Sequence, residues 1–121
     1  MPSYVKIILT GSTQGRAIPV TGVAPSTANT IHTAVTDTGG GFDELYIWAV
    51  NTATATREIT LRWGCTVTGQ GIRHMSVQVT QLSGPVLMIP GWPLNGGDTV
   101  RAYVTIADQV AVYGYAHRYA T

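Results

Sequence analysis

Apolar and polar residues alternate with a period of two along most of this chain, and no segment holds a 3.6-residue period for three turns. The clearest strands are expected at 44–51, 58–64, 73–82, 85–89, 99–107 and 110–119. In Glu58-Ile59-Thr60-Leu61-Arg62-Trp63, the residues Ile59, Leu61 and Trp63 share one face, with Glu58, Thr60 and Arg62 opposite. Val100, Ala102, Val104 and Ile106 repeat that pattern against Arg101, Tyr103 and Thr105. Such strands turn one face to a core and the other to solvent or a partner. Leu45–Val50 is apolar on both faces, which predicts a central strand covered on both sides.

Gly-rich and Asn-rich segments separate these runs: Gly39-Gly40-Gly41, Gly69-Gln70-Gly71 and Asn95-Gly96-Gly97-Asp98. Ala107-Asp108-Gln109 reads as the tip of a hairpin joining the last two strands. The pattern predicts one all-β domain, an antiparallel β-sandwich or jelly-roll-like fold, with residues 27–121 as its body. Residues 1–26 read as an N-terminal strand or arm followed by a loop. Tyr4–Thr10 alternates weakly, and Gly11–Ser26 is rich in Gly, Ser and Thr with Pro19 and Pro25. Tyr4, Ile7 and Leu9 could thus add a strand to a neighbouring molecule, or form an edge strand of their own sandwich. The resulting fork is a detachable arm against an intrinsic strand.

Composition narrows the function. Only 11% of the residues are charged, and the net charge is +1. A soluble domain usually carries about a quarter charged residues. Thr, about one residue in seven, supplies much of the polarity here and suits a half-buried pleated surface. That surface points to a part packed in an assembly rather than to an enzyme. The scattered arginines give no footprint for nucleic acid, and the apolar run near the N-terminus is too short for a membrane span. Cys65 reads as a small apolar side chain, since no second cysteine exists to pair with it.

No catalytic, cofactor or metal motif emerges. His32, His74 and His117 lie far apart, and Asp43 and Glu44, being adjacent on a strand, point to opposite faces. Neither Gly11–Arg16 nor Gly39–Gly41 precedes a helix able to hold a phosphate. The aromatic residues say more. Trp48 and Trp63 fall on faces that read as core. Trp92 sits in Pro90-Gly91-Trp92-Pro93-Leu94-Asn95, read as a proline-stiffened loop. There Trp92 and Leu94 either anchor an interface or cover an end of the sandwich. Tyr113, Tyr115, His117 and Tyr119 alternate into a stripe that is either core or a subunit contact, with His117 favouring contact.

Thr30–Ala34, Phe42–Thr52, Gly84–Gly91, Val100–Tyr103 and the ending through Gly114-Tyr115 resemble small structural proteins of tailed bacteriophages. Within that group the chain is most similar to head decoration, or cement, proteins, over most of its length from about Thr30. The resemblance implies a non-enzymatic virion protein, commonly a homotrimer, without cofactor. It would bind the outside of the capsid, with the major capsid protein as its partner, and be made in the host cytoplasm. The competing expectation is a carbohydrate-binding or receptor-binding sandwich from a phage tail or fibre, with Trp92 and strand tyrosines stacking on sugars.

Overall fold

Strand β4, Phe42–Asn51, shows how the sequence builds this molecule. Asp43, Leu45, Ile47, Ala49 and Asn51 are buried, while Phe42, Glu44, Tyr46, Trp48 and Val50 are half-buried on the other side. A pleated strand at the boundary of a core gives that alternation. The computed structural model describes residues 3–36, 40–64, 75–80 and 84–120. Among them are nine strands: β1 (Ser3–Ile8), β2 (Ile18–Pro19), β3 (Asn29–Thr33), β4, β5 (Arg57–Trp63), β6 (Met75–Val79), β7 (Val86–Leu94), β8 (Thr99–Val104) and β9 (Val110–Ala120).

Two antiparallel sheets face each other, one ordered β1-β9-β4-β7 with β2 also on β9, the other β3-β8-β5-β6. Leaving β2 aside, the first strand pairs with the last, the second with the next to last, and so inward to β5 with β6. A long antiparallel ribbon rolled up on itself has this nested pairing, and the fold is therefore a jelly-roll sandwich. Its core joins both sheets through Leu45, Ile47 and Val112 on one side and Ile31, Ile59, Leu61 and Val100 on the other. The expected all-β sandwich is the fold.

Several local expectations are corrected. Residues 90–94 are not a loop but the end of β7, with Tyr46 opposite Pro90 and Leu45 opposite Trp92. Because β7 is an edge strand, its prolines sacrifice no shared ladder, and Gly91, at φ 98°, takes up the irregularity between them. Residues 107–109 are not a hairpin tip, since β8 and β9 belong to different sheets and the link crosses the sandwich. It is fixed by Asp108 N–H to the Val20 carbonyl at 3.0 Å and Thr52 N–H to that of Gln109 at 3.0 Å. Residues 105–107 accordingly leave the strand.

The N-terminal fork resolves to the edge strand. β1 pairs with β9 from Ser3–Ala120 to Ile8–Tyr115, and Leu9, Ile18 and Val20 enter the core. Leu9 is fully buried and belongs to the core, not to a surface contact. β4 is central, as expected, but its outer side is covered by neighbouring rings rather than by a second layer, so Trp48 lies outside the core. Cys65, Gly69–Gly71, His74 and the ends of the strand expected at 73–82 lie outside the described residues.

Candidate functional site

The register between β4 and β9 places ring opposite ring on the outer face of the first sheet. Phe42 faces Tyr119, Tyr46 faces Tyr115 and Trp48 faces Tyr113, with Glu44 opposite His117. β1 adds Tyr4 beside Tyr119 and Lys6 beside His117. The rings form an unbroken series. Phe42 and Tyr119 stack at 4.9 Å, Tyr46 and Tyr115 at 5.1 Å, and Trp48 and Tyr113 at 6.1 Å. Tyr4 bridges His117 at 4.9 Å and Tyr119 at 5.0 Å, and is 54% exposed. Each such pair contributes about 0.5–1.5 kcal/mol beyond its buried area.

Two charges punctuate this face. Lys6 Nζ lies 4.3 Å over the Tyr115 ring, a cation–π contact. Glu44 Oε1 accepts the Tyr46 hydroxyl at 2.8 Å and lies 3.5 Å from His117 Nδ1. That hydrogen bond, with burial and the Glu44 charge, pushes the Tyr46 phenol up to about 12. Burial and then Glu44 also raise Tyr119. The expected stripe of Tyr113, Tyr115, His117 and Tyr119 thus faces outward, half-buried among rings of β1 and β4. Ile7 points the other way and packs partly buried against the core.

At the β7 end of this face lies a cleft of about 510 Å³ lined by Phe42, Glu44, Pro93, Leu94 and Asn95. Trp92 is 38% exposed and meets Trp63 edge-to-face at 5.6 Å, so it ties β7 to β5 across the sandwich. Leu94 also packs against the core.

A second polar constellation is buried between the sheets. Asp43 and His32 are both fully buried, and Asp43 Oδ2 lies 2.7 Å from His32 Nε2. Arg118 clamps the carboxylate with Nε to Oδ1 and Nη2 to Oδ2, both 2.8 Å, and Val35 N–H donates to Oδ2 at 3.2 Å. Thr10 N–H donates to His32 Nδ1 at 3.1 Å, which makes Nδ1 the acceptor and leaves the proton on Nε2, facing Asp43. Burial lowers the His32 pKa, so the ring is neutral. Burial alone would raise Asp43, but hydrogen bonds from Arg118 and His32 outweigh it and hold the carboxyl below its usual range. The bond to Asp43 raises Arg118 in turn.

This cluster ties β3, β4, β9 and the turn after β1 together and has the character of a structural latch. Among the described residues no three His, Cys, Asp or Glu side chains converge as a metal ion would need. No helix of the described residues is long and apolar enough to cross a membrane. No protein-family model matches the sequence, and none of the curated proteins matches it.

Proposed function

We propose that this chain is a structural protein of a tailed-phage virion that acts on the outer surface of the capsid as a homo-oligomer, the trimer its sequence resemblance implies. There it stabilises the lattice of the major capsid protein. The observation that carries this reading is the aromatic outer face of the β1-β9-β4-β7 sheet, with Lys6 and Glu44 as its punctuating charges. Aromatic residues on a charge-poor patch are what the centre of a protein interface needs. A jelly roll also suits the role, by analogy only, because viral shell proteins use it among many others.

The stacking geometry favours a protein partner over sugar. Tyr46 and Tyr115 are within 25° of coplanar, and Trp48 and Tyr113 within 16°, so these rings spend faces on one another that a sugar would need. The test uses heads of the encoding phage purified without this protein. Added protein should bind saturably, at a fixed ratio to the major capsid protein, and Tyr115→Asp should weaken binding at least about tenfold. Heads that take up none, or adsorption confined to the tail, would overturn the reading.

A further inference from the structure

We infer that copies of this chain join head to tail, with Arg16 of one copy seated in the cleft formed by Phe42, Glu44, Pro93 and Asn95 of the next. The inference deepens the homo-oligomer of the proposed function and rests on that part of it. Two features on opposite edges of one sheet are complementary in charge and shape.

The first is the turn after β1. Arg16 is exposed. Its backbone is nevertheless fixed. Arg16 N–H bonds the Thr13 carbonyl at 3.0 Å, Ser12 Oγ donates to the Arg16 carbonyl at 2.6 Å, and Ser12 N–H bonds Leu9 at 2.9 Å. Gln14 and Gly15 adopt left-handed φ values of 57° and 81°, and buried Leu9 and Ile18 anchor the two ends. A cation presented on a pre-ordered turn loses little entropy on docking.

The second is the cleft, an acceptor-rich hollow with apolar walls. Glu44 Oε1 already accepts the hydrogen bond from the Tyr46 hydroxyl, while Oε2 accepts from none of the described residues. Asn95 donates its Nδ2 to the Gly41 carbonyl at 3.3 Å, which leaves Oδ1 to accept. Phe42 and Pro93 supply the walls. An arginine matches such a hollow: its stem packs on apolar walls, its plane stacks on a ring, and its fork donates to a carboxylate. The negative field of Glu44, felt by Tyr46 and Tyr119, favours a cation there over a neutral ligand.

The two features cannot meet within one molecule's sheet, because the turn projects beside β1 and β2 and the cleft borders β7, the far edge. A knob and hollow at different places make a heterologous contact, which closes into a ring when the rotation allows.

Sedimentation velocity of the whole chain, without capsids, tests the contact. Wild type should sediment as an oligomer at micromolar concentration, and Arg16→Glu and Glu44→Arg should each weaken association at least about tenfold. Combining the two should restore it. Glu44→Gln, whose amide oxygen can still accept the hydrogen bond from the Tyr46 hydroxyl, should weaken it too, with near-ultraviolet dichroism checking that each variant keeps its fold. A monomeric wild type, single variants that associate as wild type does, or a double variant without recovery would each overturn the contact. So would Phe42-dependent binding of a neutral oligosaccharide by a monomer. Head adsorption separates the two readings: adsorption without any effect of Arg16 sinks the contact alone, and a ring that ignores heads sinks the proposed function alone.

Discussion

Asp43 is the residue on which most of the buried polar chemistry converges, and its environment sets two expectations. Removing one partner of a buried ion pair strands the other and typically costs about 3–5 kcal/mol. Arg118 is 31% exposed at its side chain, so water relieves part of that cost, and Asp43→Asn should lose about 3 kcal/mol by urea unfolding. The second expectation is acid sensitivity. Native His32 sits below its ordinary 6.5, so the unfolded chain takes up that proton first and stability falls as pH drops below about 6.5. Asp43 sits below its ordinary 3.8, so its contribution persists above that value and fades as pH falls through the native pKa. The urea midpoint should therefore decline in two acid stages, and His32→Gln should remove the upper one while leaving the lower. A midpoint flat from pH 7 to 5 in the wild type would refute the neutral buried ring. The latch was half-legible in the sequence. Asp43 shares its parity on β4 with Leu45 and Ile47, and Arg118 shares its parity on β9 with Val112 and Ala116, which marks both as inward charges. That the two strands are neighbours, and that His32 arrives from the other sheet, depends on long-range pairing that local alternation does not contain.

At the scale of elements, β7 and the β8–β9 link are where local reading went astray, each for a physical reason. Pro90, Gly91 and Pro93 signal a loop when counted alone, but an edge strand tolerates residues that cannot complete a ladder on both sides. A short polar link between two strands looks the same whether it turns back in one sheet or crosses to another. Trp92 consequently acts as a strand residue, coupled to Trp63 through an edge-to-face ring contact. Trp92→Ala should lower thermal stability as Trp63→Ala does, and the double variant should fall short of their sum by about 0.5–1.5 kcal/mol. Strict additivity in that cycle would count against the contact. Gly114 is a sharper case. A Cβ there would lie 2.0 Å from the Tyr46 carbonyl oxygen, so β9 could not keep its distance from β4. Gly114→Ala should leave the chain without cooperative unfolding, and a soluble variant melting like wild type would contradict the register.

For the molecule as a whole, alternation sufficed to read a two-layer β-sandwich, because a period of two implies one buried face wherever it occurs. The nesting of strands was not legible, since β1 and β9 meet across nearly the full length of the chain. The same long-range pairing decides what the N-terminal segment does. A detachable arm would bury little against its own body, yet β1 runs along β9 for its whole length and leads directly into Leu9, which is fully buried. The turn after it is closed by Gly11 N–H to the Ile31 carbonyl at 2.9 Å, and by the Thr10 bonds to His32 and Thr33. Deleting residues 1–9 therefore removes an edge strand, a core leucine whose truncation alone costs about 2–5 kcal/mol, and the entry to the buried latch. Against a total stability of about 5–15 kcal/mol, these losses together exceed what a domain of this size can absorb. The shortened chain should lose its cooperative thermal transition and its near-ultraviolet dichroism. A truncated protein that kept both, and lost only association or head binding, would restore the arm.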